Sequence, residues 1–393
     1  MTIRKVLFWC HITAGCVAGA VIFAMSVTGV LLAFERQINA RIHRGFQLTG
    51  QAPRAPRLPL EAVARSVDPN SRQPPTITIR AANTAPLEFA YGRDRTLYVD
   101  PVTGKVSGEA SRSTRSLFAS VERIHRTLGT ELRSGPGRPI TAASNLLFLF
   151  LVVSGLYLWF PKKWLRQYLR PAIWFRGDVG GRARDWNWHN TIGFWCAIPL
   201  FFIVLSGVVM SYQWANNLLY RLTGTPIPAA QQREGGGQSA SRRSGGRPTG
   251  QAFQLLDSLL AIARTQNPSW RSISFRVPSE SEQAVGFNVD AGTGGQPQKR
   301  WHLTLDRVTG RIIRTEGFST YNTGRKLRTI ARFLHTGEIL GLPGQVIAAL
   351  ASTGAAFLVW TGGSLAIRRF AGRIQKKRRS EASEAARNQP VSV

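Results

Sequence analysis

The sequence predicts an integral membrane protein with four transmembrane α-helices in a duplicated arrangement, two span–module–span repeats that carry two exoplasmic α+β modules. Three observations support this fold class. Four apolar stretches are long enough to cross a bilayer as helices, which takes about 20 residues. Two long segments of mixed composition separate these stretches. Short motifs also recur in the two halves of the chain at nearly constant offsets.

The apolar stretches cover residues 6–34, 140–160, 192–212 and 345–367. Lys and Arg are dense in the short second connection and in the C-terminal tail, so the positive-inside rule places both segments in the cytoplasm. The two long loops are then exoplasmic. The first span is too long for a signal core and lacks a small-residue cleavage site, so we expect it to remain as an anchor. The predicted location is a bacterial inner membrane, crossed several times, with cytoplasmic termini and periplasmic loops.

Each long loop has the pattern of a small α+β module, a helix followed by strands and an Asp-x-x-Thr-Gly turn. In the first loop the helix covers 58–67, the strands cover 76–80, 87–91 and 96–100, and the turn ends at Gly104. In the second loop the helix covers 253–265, the strands cover 271–277, 284–289 and 301–306, and the turn ends at Gly310. Residues 226–250, rich in Gly, Ser, Gln and Arg, are predicted to be a flexible linker.

The predicted segments follow from these patterns. They are transmembrane helix 1 (1–35), module 1 (36–113), a rim helix with transmembrane helix 2 (114–161), a cytoplasmic loop (162–186), transmembrane helix 3 (187–215), the linker (216–250), module 2 (251–324), a rim helix with transmembrane helix 4 (325–368) and a basic cytoplasmic tail (369–393).

Four of the six histidines occupy matching positions of the internal repeat. His11 begins the motif His-Ile-Thr-Ala-Gly15, and His189 begins His-Asn-Thr-Ile-Gly193, 178 residues further on. The same offset recurs at a Thr/Ser-Gly-Val step, residues 28–30 and 206–208. Because separate motifs share this offset, the chain is predicted to consist of two copies of one half.

The second histidine pair is His125 and His335, 210 residues apart. Each precedes a Pro-Gly break, and each break is followed by a Ser/Thr-Gly step, at 154–155 and at 361–362. Because these later features recur at an offset of 207, the two halves keep nearly the same register. Each histidine is predicted to lie on a short amphipathic helix that leads into a span near the exoplasmic rim.

These motifs resemble the PepSY-associated transmembrane family, and within it the haem-containing inner-membrane ferrisiderophore reductases. The resemblance covers most of the chain and is carried by Trp9-Cys-His11-x-x-x-Gly15, Ile124-His-Arg-x-Leu-Gly129, Trp188-His-x-x-x-Gly193-Phe-Trp195 and Leu334-His-Thr-Gly337. It implies PepSY-like modules, two b-type haems bound between helices, and electrons passed outward to iron chelated by a siderophore. The expected activity is therefore that of a ferric-chelate reductase, with membrane lipid around the spans.

His11 and His189 are the first candidate haem ligands. An ionisable side chain inside an apolar span usually faces the bundle interior and marks a functional site, and imidazole is an axial ligand of haem iron. Gly15 and Gly193, one helical turn on, would leave room for a flat macrocycle. The alternative is that these histidines form hydrogen bonds between helices and the glycines serve close packing.

His125 and His335 are the candidate ligands of a second haem. The alternative is that they are interfacial histidines that reach to water. His43 and His302 lack repeat partners and are predicted to be an interface residue and a strand residue. The three cysteines all lie in apolar spans and are predicted to be small buried hydrophobic residues.

Several other chemistries are excluded by missing motifs. The sequence has no Cys-x-x-Cys-His for covalent haem, no dinucleotide or phosphate-binding loop, and no hydrolase motif. The electron donor must therefore be separate, a quinol or a cytoplasmic reductase. The net charge of +30 is spread over both membrane faces, so no nucleic-acid partner is predicted. Two alternatives stay open: a haem-free membrane anchor whose modules bind a periplasmic protein or peptidase, and a haem or metal transporter.

Overall fold

The computed structural model describes residues 2–42, 56–68, 73–82, 84–92, 95–131, 134–161, 165–228, 255–279 and 282–387. The chain divides into two compact units. The membrane unit consists of Met1–Ala33, Val121–Ser211 and Val346–Val393, and the sheet unit consists of Phe34–Ser120 and Tyr212–Gln345. His43 and most of the predicted linker lie outside the described residues.

The helices in chain order are α1 (Ile3–Ala33), α2 (Glu35–Ile42), α3 (Leu60–Val67), α4 (Arg112–Thr127), α5 (Gly137–Trp159), α6 (Arg166–Ile173), α7 (Gly181–Ser211), α8 (Gln213–Leu222), α9 (Leu256–Thr265), α10 (Thr323–His335) and α11 (Leu342–Arg387). The strands are β1 (Thr76–Arg80), β2 (Leu87–Tyr91), β3 (Arg95–Val99), β4 (Val106–Glu109), β5 (Ser272–Arg276), β6 (Ala284–Asp290), β7 (Arg300–Asp306) and β8 (Ile312–Gly317).

Four of these helices, α1, α5, α7 and α11, are long and apolar enough to cross a membrane. The prediction of four spans is confirmed, and the protein is a multi-pass membrane protein. Two of the helices extend by ten residues or more beyond the predicted apolar stretches. Helix α7 begins at Gly181 rather than at residue 192, and α11 continues to Arg387 rather than ending at 367. The α11 extension is rich in Arg, Lys, Ala and Glu, which favour helix, whereas the first turns of α7 have few strong helix formers and pack against α6.

The spans of the membrane unit pack through small side chains. Helix α5 packs against α1 and α7. Helix α11 contributes Ala351 and Ala355 to a buried cluster with Leu200 of α7. At Gly354 a Cβ atom would lie 2.5 Å from the Cys196 sulfur, so only glycine allows α7 and α11 to come this close. Small residues at helix contacts are typical of membrane proteins, because they let the backbones approach.

The short helix α6 lies against α7 and was not predicted. The Asn187 side chain donates to the backbone carbonyls of Pro171 and Trp174 at 2.6 and 3.0 Å, and its Oδ1 accepts from the Arg176 amide at 2.9 Å. One buried amide therefore satisfies the end of α6 and the connection that follows it. This fixes the first turns of α7, the part of the helix that carries His189.

The cysteine prediction is wrong in part. All three cysteines are free thiols in spans, but Cys10 and Cys16 are exposed and Cys196 is partly buried. The physical reason is that an apolar side chain on a span can meet lipid instead of a protein core, so burial in the bundle is not required.

The sheet unit is built on one antiparallel sheet of eight strands in the order β4-β3-β2-β1-β5-β6-β7-β8. The two predicted modules meet at its centre, where β1 pairs with β5 and Ile77 lies opposite Phe275. Helices α3 and α9 contribute to the same buried core as the apolar residues of both halves. Asp257 of α9 accepts hydrogen bonds from the amides of Leu60 and Glu61 at the start of α3, so a carboxylate joins the two helices where the amide groups are unpaired.

The predicted strands are present, and β1 and β2 have the predicted bounds. The fourth strand of each half, β4 and β8, was not predicted. Both are edge strands with mostly exposed residues, so they lack the alternation of buried and exposed side chains that identifies a strand from sequence.

The two Asp-x-x-Thr-Gly turns have the same geometry. The Asp100 carboxylate accepts from the amide of Val102 at 2.8 Å and from the Thr103 hydroxyl at 2.9 Å. Asp306 accepts from the Thr309 amide and hydroxyl at 2.8 and 2.9 Å, and these hydrogen bonds lower the pKa of Asp306. The closing glycines, Gly104 and Gly310, have φ of +70° and +68°, which glycine adopts without strain. In both turns the motif therefore closes the turn through hydrogen bonds to its own aspartate.

Candidate functional site

A cavity of about 1030 Å³ lies within the membrane unit, lined by residues of α1, α5, α7 and α11. This is at the upper end of the roughly 300–1,000 Å³ typical of ligand sites. His11 and His189 both line the cavity, and so do Gly15 and Gly193. The structure therefore brings the first predicted histidine pair and its two glycines to one site.

The hydrogen bonds of His11 define its tautomer. Its Nδ1 lies 2.9 Å from the hydroxyl oxygen of Ser154 on α5. That hydroxyl donates its single hydrogen to the Phe150 carbonyl at 2.6 Å, so toward His11 it can only accept. The network thus assigns the proton of the neutral imidazole to Nδ1. Nε2 then carries the lone pair, which is the atom that binds a metal when the other ring nitrogen donates to a protein group.

His189 has the same environment on the opposite pair of helices. Its Nδ1 lies 3.0 Å from the hydroxyl oxygen of Thr361 on α11. The Thr361 hydroxyl donates to the Phe357 carbonyl at 2.8 Å, so it too accepts from the imidazole. Both histidines that line the cavity therefore present Nε2 as the atom with the lone pair.

A glycine follows each hydroxyl residue and makes room for the imidazole. A Cβ atom on Gly155 would lie 3.2 Å from Cε1 of His11, and one on Gly362 would lie 3.1 Å from Cε1 of His189. Both distances are shorter than the 3.5–4.0 Å that suits two carbon atoms. The Ser/Thr-Gly step is therefore a cradle, in which the hydroxyl orients the ring and the glycine admits it.

His125 has a hydroxyl partner of the same kind. Its Nδ1 is 2.9 Å from the Thr28 hydroxyl oxygen on α1, and this hydroxyl donates to the Ala24 carbonyl at 2.6 Å. A Cβ atom on Gly29 would lie 3.5 Å from Cε1 of His125, which is ordinary contact, so this ring does not require the glycine. His125 lies on α4 within the membrane unit, whereas His335 ends α10 in the sheet unit. Their placement on amphipathic helices is confirmed, and their pairing stays a prediction.

The hydroxyl partners of the histidines were not predicted from the sequence. Ser154, Thr361 and Thr28 each stand in a motif that marked the internal repeat, so the signal was present but was not connected to the imidazoles. At Gly15 and Gly193 a Cβ atom would meet leucine methyl groups at 4.0 and 3.7 Å, which is ordinary contact, so their role in leaving room for a macrocycle stays a prediction.

The remaining described histidine has a structural position. His302 lies on β7, and its Nδ1 is 3.1 Å from Oδ1 of Asn288 on β6, in agreement with the predicted strand residue. Among the residues that the structure describes, no three His, Cys, Asp or Glu side chains converge to hold a bare metal ion. Two imidazoles alone suit a metal that brings most of its ligands with it, as haem iron does with its four porphyrin nitrogens.

The fold and the cavity together define a multi-pass membrane protein whose spans enclose a site with two oriented imidazoles. The chain matches the family profile described as the PepSY-associated TM region over residues 8–369. It therefore belongs to this family, as the resemblance predicted. No curated protein matches the chain at a significant level.

Proposed function

We propose that this protein is a haem b-containing transmembrane electron-transfer protein that reduces a periplasmic ferric siderophore and so releases ferrous iron. One observation carries the proposal. Two imidazoles on different spans line one apolar cavity, and the hydrogen bonds of each leave the metal-binding lone pair on Nε2. A bound haem would supply one-electron chemistry there.

The residues of the cavity fit a haem in two respects. The Ser/Thr-Gly cradles set the orientation of both rings, and outer hydrogen bonds of this kind orient histidine ligands in metal sites. The cavity is large, and most of the residues that line it are apolar, as a flat hydrophobic macrocycle requires. His11 and His189 would be the residues that hold its iron.

We infer further that the chain consists of two copies of one half, each with a span, a PepSY-like module and a second span. By this repeat His125 and His335 would hold a second haem. The Thr28 hydroxyl beside His125 supports this, since it repeats the hydrogen bond made by the two cavity histidines. Two haem sites on opposite sides of the membrane would connect a donor on one face to an acceptor on the other.

The substrate step is a one-electron reduction of chelated iron. The electron comes from a separate donor, a quinol or a cytoplasmic reductase, and converts ferric to ferrous iron. Hard oxygen ligands hold the trivalent ion more strongly than the divalent one, so reduction weakens the chelate and releases the metal. The bacterial inner-membrane location, the cytoplasmic termini and the periplasmic position of the sheet unit are parts of the same proposal.

The first experiment is a spectrum of the purified, detergent-solubilised protein. We expect a Soret band that sharpens on reduction with dithionite, and a pyridine haemochrome assay that gives about two haems b per chain, low-spin if each iron has two imidazoles. The reduced protein should be reoxidised by a ferric siderophore. A content of one haem per chain would support the cavity site alone and contradict the second haem at His125 and His335. A colourless protein would refute the proposal and favour the haem-free anchor.

The second experiment tests topology. Because short cytoplasmic flanks are rich in Lys and Arg, a reporter inserted near Gly236 should behave as exported and one placed after Arg379 as cytoplasmic. The reverse result would put the sheet unit in the cytoplasm and remove the case for a periplasmic substrate.

A further inference from the structure

One end of the cavity is lined by arginines at repeat-equivalent positions. Arg4 and Arg182 both line it, and they are 178 residues apart, the same offset as His11 and His189. Each arginine precedes its histidine by seven residues, which is two helical turns or about 10 Å along the same face of the helix. The two guanidinium groups therefore lie on the same side of the histidine pair, one from each half of the bundle.

A third arginine, Arg369 of α11, also lines the cavity. Its guanidinium lies over the rings of Phe8 and Trp9, 4.7 and 5.1 Å from their centroids. Its Nε is buried and has no hydrogen-bond partner among the described residues. A buried donor without a partner is costly, so the Arg369 guanidinium would be stabilised by an acceptor that its flexible side chain can reach.

The cavity has cations but no anion to balance them. None of the described residues that line it is Asp or Glu, whereas Lys5 adds a fourth basic group to the three arginines. Arg4 is held in position by the carbonyls of Leu158 and Phe160, to which one of its terminal nitrogens donates at 2.7 and 3.0 Å. Guanidinium has five N–H donors in total, so Arg4 can bind an acceptor in addition.

We propose that Arg4, Arg182 and Arg369 form the binding site for the two carboxylates at one edge of a porphyrin. The proposal rests on the function proposed above. A b-type haem has two propionates on one edge and an apolar remainder, which matches a cavity with arginines at one end and apolar walls elsewhere. The guanidinium groups would bind these carboxylates through charge-assisted hydrogen bonds and so fix the rotation of the macrocycle in its plane.

The test compares haem b with its dimethyl ester, in which both carboxylates are neutral, added to full-length protein produced without haem. Affinity is measured by absorbance titration. We expect wild type to bind haem b more tightly than the diester by roughly 10- to 100-fold, because hydrogen bonds to charged groups are the strong ones. Arg182→Gln and Arg369→Gln should each lower the affinity for haem b by about ten-fold and leave the affinity for the diester nearly unchanged.

Two matched controls are available on the same helices. Arg184 pairs with Asp185 and stacks on Trp188, and Arg373 stacks on Trp9, but neither lines the cavity. Arg184→Gln and Arg373→Gln should therefore keep the preference for haem b. Arg182→Lys retains the positive charge and should keep most of the preference for haem b. That result would show that Arg182→Gln loses the preference through the lost charge and not through misfolding.

The outcomes separate the two proposals. If wild type binds both porphyrins equally well, or if the glutamine variants keep the full preference for haem b, the arginine site is wrong while the haem site stands. If wild type binds neither porphyrin, the haem proposal fails, and the arginine site fails with it.

Discussion

The substitution Gly362→Ala tests whether the cavity histidines are held as the structure describes. The added Cβ atom would lie 3.1 Å from Cε1 of His189. Carbon atoms in contact prefer 3.5–4.0 Å, so the imidazole must move by about 0.4 to 0.9 Å. The ring cannot absorb this movement freely, because Thr361 holds Nδ1 at 3.0 Å.

The expected cost follows from that geometry. A shift of about 0.4 Å away from Thr361 stretches the hydrogen bond to roughly 3.4 Å, beyond the usual range for N–H···O. A buried donor without its acceptor costs about 1–3 kcal/mol, and loss of an outer-shell partner typically lowers metal affinity by about 10- to 100-fold. We therefore expect weaker haem binding and a partial change from low-spin to high-spin iron, visible in the absorption spectrum.

Another glycine of the same helix gives a matched control. Gly372 does not line the cavity, and a Cβ atom there would meet nothing within 4 Å. Gly372→Ala should therefore leave the spectrum and the haem content as in wild type. Equal effects of the two substitutions, or no effect of Gly362→Ala, would show that the glycine cradle does not position an iron ligand.

Three further predictions concern the ligands, the hydroxyl and the sheet. If His11 and His189 share one iron, His11→Ala and His189→Ala should each remove the same haem in a pyridine haemochrome assay. The double substitution should add little to that loss, since ligands of one metal act as a unit. Additive losses of haem would mean separate sites. Thr361→Val keeps the shape but removes the acceptor, so haem affinity should fall by about 10- to 100-fold and be restored by Thr361→Ser; a valine variant with normal affinity would contradict the cradle. Phe287 is fully buried in the sheet core and lies 4.8 Å from the ring of Phe275, so Phe287→Ala should destabilise the sheet unit by about 3–5 kcal/mol, measured by chemical unfolding followed by tryptophan fluorescence; a loss below about 1 kcal/mol would argue against this core.

The sequence was sufficient to predict features that depend on local composition. The four spans follow from apolar length alone, because a bilayer sets the number of residues that a helix needs to cross it. Strands β1 and β2 follow from alternating side chains, and the turns at Gly104 and Gly310 follow from residues that are needed at fixed turn positions. In each case the physical requirement acts within a few residues of chain.

Features that depend on neighbours distant in the sequence were not predicted. Alternation shows which side of β1 is buried but not which strand lies beside it, so the pairing of Ile77 with Phe275 could not be derived. The same limit applies to the cradles. The matching offsets predicted that Ser154 and Thr361 are equivalent to each other, but equivalence along the chain does not show which helices pack together.

The hydrogen bonds of the histidines also show that the site forms only when the helices of the bundle pack together. In each described case the histidine and its hydroxyl partner come from different helices: His11 with Ser154, His189 with Thr361, and His125 with Thr28. Within a single helix none of these imidazoles would have its Nδ1 proton fixed or its ring oriented. At His11 and His189 the lone pair on Nε2 is therefore directed only when two helices have packed closely enough for a glycine to admit the ring. Substitutions that separate the helices without touching a histidine, such as a larger residue at Gly354, should for this reason weaken haem binding as well as packing.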